Sequence, residues 1–149
     1  MSETRQRLLE DIKTAMKAGD KPRLATMRLM SAAIKQKEVD DRVELDEPAV
    51  IALFDKLLKQ RRESITQYAK AGRDDLVAQE EAEAQLIQTY LPEALSDEEI
   101  DDIISAVINE TGASSVKDMG KVMGQIKPKL QGRADMSIVS KTIRSRLNA

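Results

Sequence analysis

The chain has 149 residues, 24 Lys and Arg against 26 Asp and Glu, and neither His, Cys nor Trp. Apolar residues make up 41 %, charged residues 34 % and aromatics 2 %, the balance of an all-α protein large enough to bury a core without disulfides or metal. Without His or Cys the chain has no imidazole base, no Ser-His-Asp triad, no thiol chemistry and none of the usual zinc sites.

In chain order, Leu8, Leu9, Ile12, Ala15 and Met16 form a helical stripe, with Ser2 as N-cap and Gly19 as its stop. Asp20 caps a second helix that tolerates Pro22 in its first turn and buries Leu24, Met27 and Ile34. The polar stretch 40–47, DDRVELDE, reads as a connection. Asp46 then caps a longer helix that turns Val50, Ile51, Phe54, Leu57, Leu58, Ile65 and Tyr68 inward and ends near Gly72. A fourth helix is expected from about Asp75 to Tyr90, burying Leu76, Leu86, Ile87 and Tyr90, until Leu91-Pro92 breaks it.

Beyond that break, Ser96 and Glu99 spell a capping box, and Leu95 and Ile100 occupy the positions of a hydrophobic staple. Ile100, Ile103, Ile104, Val107 and Ile108 supply the stripe, closed by Gly112. Ser115 to Asp118 opens a helix with Met119, Val122, Met123 and Ile126 inward, which Pro128 and Gly132 are expected to interrupt. Asp135 caps a last helix whose inner face carries Ile138, Val139, Ile143 and Leu147. The expected architecture is therefore a two-part helical protein: an N-terminal helical bundle over residues 1–92 and a C-terminal three-helix domain over 93–149. The longest uncharged run is nine residues, Ala84 to Pro92, far short of a membrane helix. The charged start, MSETRQRLLEDIK, is no secretory signal, and a cytoplasmic location is expected.

Charge is distributed unevenly. Residues 93–114 carry seven acids and no base, whereas residues 115–149 carry eight bases and two acids. The acids Asp97, Glu98, Glu99, Asp101 and Asp102 place neighbours at i, i+4, but a first helical turn favours acids through the helix dipole, and the Asp-x-Asp-x-Asp-Gly calcium pattern is missing. No metal site is assigned. Gly120-Lys121 lacks the rest of a phosphate loop. Gly120 and Gly124 each cost a helix about 1 kcal/mol, which suggests that another helix approaches closely there. The basic residues Lys121, Lys127, Lys129, Arg133, Lys141, Arg144 and Arg146 are the candidate nucleic-acid-binding set, since Lys and Arg neutralise phosphates without reading sequence. No aromatic accompanies them to stack unpaired bases. The alternative is a solvated face that offsets the nearby acids. A second cluster, Lys56 with Lys59 to Arg62, reads as surface helix.

Two blocks, Met119-Gly120-Lys121-Val122-Met123 and Pro128-Lys129-Leu130-Gln131-Gly132-Arg133-Ala134-Asp135, resemble the tail of the B subunit of tRNA-dependent amidotransferases. Segments 28–40 (RLMSAAIKQKEVD), 59–83 (KQRRESITQYAKAGRDDLVAQEEAE) and 90–100 (YLPEALSDEEI) resemble the stand-alone GatB/YqeY family. The resemblance implies an all-helical protein whose last part corresponds to a tail that contacts the body of tRNA. It also implies kinship with carbon–nitrogen ligases that use glutamine as amido-N-donor. The amidase and activating parts of those enzymes have no counterpart in these residues, so no catalytic residue and no cofactor are assigned. The leading expectation is a non-catalytic tRNA-binding adaptor. The alternatives are a module docking on a protein of the aminoacyl-tRNA pathway, or an amidotransferase-like accessory.

Overall fold

The computed structural model describes residues 2–148, and among them seven α-helices and one 3-10 turn account for the regular structure, with no strand. The helices are α1 (Glu3–Ala18), α2 (Lys21–Asp41), α3 (Glu47–Lys70), α4 (Asp74–Gln88), α5 (Asp97–Thr111), α6 (Met119–Leu130) and α7 (Met136–Asn148); the 3-10 turn covers Val116–Asp118. The chain divides into two compact units, one ending at Leu91 and the other starting at Pro92.

The first unit is built from two helical hairpins. Ser2 accepts the Arg5 N–H to start α1, and Gly19 ends it at φ +70°, a left-handed conformation that costs glycine little. Asp20 accepts the Arg23 N–H and Asp46 the Ala49 N–H, starting α2 and α3. The core joins Leu8 and Ala15 of α1, Met27, Met30 and Ile34 of α2, Val50, Phe54, Leu57 and Leu58 of α3, and Leu86 and Ile87 of α4. Tyr90 and Leu91, just past α4, complete it. Phe54 meets the Tyr90 ring edge-on, 6.2 Å between centroids and 75° between planes.

Four features differ from the sequence expectation here. Leu9 and Met16, assigned to the α1 stripe, are exposed, and only Leu8 and Ala15 of that stripe are buried. Helix α2 absorbs Asp40 and Asp41, so the connection shrinks; Arg42 ends the helix at φ 56° and the Glu38 carboxylate accepts the Leu45 N–H at 2.8 Å. Met30, passed over in the sequence, is fully buried. Ile65, Tyr68 and Leu76 are only half-buried and lie outside the core, because they sit toward the tip of the α3–α4 hairpin.

Carboxylates tie the first unit together across its helices. Arg5 makes a two-pronged pair with Glu38, both bonds at 2.8 Å. Glu47 accepts the Thr4 N–H at 3.0 Å and the hydroxyls of Ser2 and Thr4. Arg61 reaches Glu83 at 2.9 Å and Glu80 at 3.5 Å. The hydrogen-bonded Arg5 guanidinium and the Leu45 N–H hold the Glu38 carboxyl below its usual range. Burial alone would raise Glu47, but its Ser2 and Thr4 donors outweigh burial and lower it.

The second unit has a purely aliphatic buried core: Ile104 and Val107 of α5, Val122, Ile126 and Leu130 of α6, and Val139, Ile143 and Leu147 of α7. The capping box is complete, with Glu99 N–H donating to Ser96 Oγ at 3.1 Å and Ser96 N–H to Glu99 Oε1 at 3.3 Å. Leu95 and Ile100 both pack on the core, as a staple requires.

Three further expectations are corrected in this unit. Pro128 lies inside α6, which runs on to Leu130. The bond it cannot make is to the carbonyl of Gly124, and both residues are exposed, so water can satisfy that carbonyl. Gly120 and Gly124 admit no close neighbour: a Cβ on either would meet nothing within 4 Å. Ile138 is 63 % exposed, since the inner face of α7 follows Val139, Ile143 and Leu147 at strict i, i+4 steps and Ile138 falls about 100° off it.

Candidate nucleic-acid interface

The seven basic candidates divide by what they touch. Arg146, one of the candidate nucleic-acid-binding set, turns back to α5: its guanidinium donates to Ser105 Oγ at 2.8 Å and to Asp101 Oδ1 at 3.1 Å. It stands two positions from Arg144, about 200° around α7, which explains why the two cannot share a face. Arg133 is half-buried, and its Nε donates to the Glu93 carbonyl at 3.3 Å while its own carbonyl accepts the Leu95 N–H at 3.0 Å. That residue therefore fastens the extended lead-in to α5 onto the turn after α6. Gly132, buried and at φ +79°, makes that turn.

Lys121, Lys127, Lys129, Lys141 and Arg144 remain exposed. The ion pairing of this unit among the described residues reduces to Arg146 with Asp101, so these five cations face solvent. Their placement follows from helical geometry. On α7, Lys141 and Arg144 are three positions apart and share a face. On α6, Lys127 and Lys129 flank opposite sides of the helix, about 200° apart, with Lys121 between them on the outer surface. The structure therefore gathers Lys141 with Arg144, and spreads the α6 lysines around the exposed Gly120–Gly124–Pro128 face. Lys117, in the 3-10 turn, is also exposed. Omitted from the candidate set, it belongs by charge to the same basic run.

Most of the acids lie elsewhere, although Asp118 opens α6 close to Lys121. Asp97, Glu98, Asp101, Asp102 and Glu110 are all exposed on α5, and no group of three acidic side chains among the described residues is arranged to hold a metal ion. Asp118 accepts the Ser114 and Ser115 N–H groups at 2.9 and 3.3 Å, and these bonds hold its carboxyl below the usual range. A cleft of about 340 Å³ runs past Ser105, Asn109, Ser114 and Arg146. It contains no nucleophile–base pair. No described helix is long and apolar enough to cross a membrane.

Several curated relatives carry the name "Altered inheritance of mitochondria protein 41, mitochondrial". That of Vanderwaltozyma polyspora is 34 % identical over 146 residues, covering 93 % of this chain and 79 % of its own length. That of Lachancea thermotolerans is 36 % identical over 143 residues, covering 91 % and 76 %. The Eremothecium gossypii protein reaches 48 % over 85 residues, 56 % of this chain and 46 % of that relative. The family model described as Yqey-like protein matches residues 5–147, and from this span, together with the yeast relatives, the chain belongs to the YqeY-like family.

Proposed function

We propose that this chain is a non-catalytic adaptor whose C-terminal unit, an autonomous tail domain, binds the folded body of a tRNA through Lys121, Lys127, Lys129, Lys141 and Arg144. The observation that carries the reading is the sorting of charge in this unit. Two arginines are consumed by internal bonds, six cations, Lys117 among them, are left to solvent, and six of the unit's nine acids stand on α5. Such a surface attracts phosphates by counterion release. Lacking stacking rings, it suits a structured RNA rather than an unpaired strand. Family membership and the resemblance of segments 119–123 and 128–135 to the amidotransferase tail support the same partner. We assign the activity to the cytoplasm; the mitochondrial location belongs to the named relatives.

The test is titration of the full chain with folded tRNA across a salt series. The logarithm of affinity is expected to fall against the logarithm of salt with a slope of roughly −0.7 to −0.9 per phosphate neutralised. Replacing Lys127, Lys129, Lys141 and Arg144 with Ala should flatten the slope by about one unit for each phosphate that is no longer neutralised. Arg146→Ala should leave the slope alone and lower stability by at most about 1 kcal/mol, because its pair is with the protein. A quadruple variant with unchanged affinity and slope overturns the proposal.

A further inference from the structure

Helix α2 has two apolar faces, and only one is used by the core. Leu24, Met27, Met30 and Ile34 turn inward. On the solvent side, Ala25, Leu29, Ala32, Gln36 and Val39 follow one another at steps of four, three, four and three. That is the a/d spacing of a coiled-coil seam over about two heptads of the helix, with Gln36, which donates to Asp40 at 2.8 Å, as its polar member. All five are exposed, Leu29 at 42 % and Val39 at 71 %. The first half of the seam opens into a groove of about 630 Å³ between α2 and α4, lined by Ala25, Thr26, Leu29, Ala82 and Leu86.

The seam has a charged edge of one sign. Lys21, Arg28 and Lys35 recur every seven residues, each at the position next to the seam that a coiled coil uses for interhelical ion pairs. All three are exposed, and none makes an ion pair among the described residues. The acids near the groove are already engaged: Asp20 caps α2, and Glu83 holds Arg61. We infer that the outer face of α2 receives an acidic amphipathic helix of a partner protein, which lays an apolar seam along Ala25–Val39 and pairs carboxylates with Lys21, Arg28 and Lys35.

Charge selects this occupant over a second copy of the chain. An antiparallel pairing of two α2 helices would set the two basic rows side by side, which repels. Composition selects it over nucleic acid: Leu29 and Val39 gain nothing against phosphate, and α2 carries no aromatic ring for stacking. The mode is that of a helix laid into an apolar groove with charges setting its register.

A suitable probe is a fluorescent 21-residue helical peptide with leucine at a and d and glutamate at e and g, whose own carboxylates oppose self-pairing. Titrated with the full chain, it should bind saturably. The triple variant Lys21→Glu, Arg28→Glu, Lys35→Glu should bind about tenfold more weakly. Affinity should return when lysines replace the probe's glutamates. Leu29→Glu with Val39→Glu should abolish binding of both probes at unchanged helix content. The inference is overturned if the wild-type chain fails to bind the acidic probe, or if the triple variant binds it equally well. It is equally overturned if the reversal instead removes affinity for a duplex RNA while peptide binding is unchanged.

Discussion

The two units solve the same problem with different materials. In the first, helices are cross-tied by charge: Arg5 to Glu38, Arg61 to Glu83 and Glu80, Glu47 to Ser2 and Thr4, Tyr90 to Asp11. In the second, the buried side chains are all aliphatic, and the ion pairing among described residues is Arg146 with Asp101 at the edge. The difference lies in what each unit asks of its charges. Charges that hold a fold together are committed to it, whereas the second unit leans on its apolar core and leaves its lysines to solvent.

The strongest test of this contrast removes core volume from each side. Phe54 and Ile126 are both fully buried, so Phe54→Ala should cost about 3–5 kcal/mol and Ile126→Ala about 2–5 kcal/mol. All three aromatic residues, Phe54, Tyr68 and Tyr90, belong to the first unit. Near-ultraviolet circular dichroism therefore follows that unit, while the far-ultraviolet signal follows both. Ile126→Ala should lower the far-ultraviolet melt and leave the near-ultraviolet one in place; a common shift of both would make the units one cooperative body.

A smaller effect is expected from the carboxylate ties. Glu47→Gln replaces an acceptor of Ser2 and Thr4 donors with a group that also donates, and should cost about 1–2 kcal/mol at neutral pH. Both Glu38 and Glu47 have lowered folded-state affinities for protons. The stability they confer is thus present above the ordinary glutamate value of about 4.3 and lost as pH falls through their folded values. The near-ultraviolet melt should fall across that acid window, less steeply in Glu47→Gln. An unchanged profile would dissociate Glu47 from the stability of α1.

In the second unit the comparable device is a cap. Ser96→Ala removes the acceptor for Glu99 N–H and should cost about 1 kcal/mol by chemical denaturation. The smallest effect should have the opposite sign. With nothing within 4 Å of its missing Cβ, Gly124→Ala should stabilise α6 by about 0.5–1 kcal/mol. A loss of stability would show that this face is occupied after all.

Local rules carried the reading where the cause was local. Ser2, Asp20, Asp46 and Ser96 accept the N–H bonds that their positions promise, and Gly19 and Gly112 end their helices in the left-handed region. What escaped was tertiary. Nothing in the spacing of Arg133 or Arg146 announces a carbonyl at Glu93 or a carboxylate at Asp101, 40 and 45 residues away. Pro128 misled because its effect depends on whether the orphaned carbonyl is exposed, which periodicity does not encode. Ile138 and Val139 are adjacent apolar residues, and only packing chooses between them. The candidate basic set was visible as a charge run; the subset left to solvent was not.

Tyr90 has a consequence beyond packing. Its phenol bonds Asp11, its ring lies 4.4 Å from the Arg7 guanidinium carbon, and Arg7 also bonds the Thr89 carbonyl. Burial and the Asp11 carboxylate push the phenol pKa upward, so it stays a donor throughout the working range. The chain leaves the first unit one residue later. Tension on the polypeptide beyond Leu91 therefore meets a clamp onto α1 before it reaches the last turn of α4. A load pulled from the C-terminal side must shear an aromatic ring and two polar bonds together, rather than unwind a helix one carbonyl at a time.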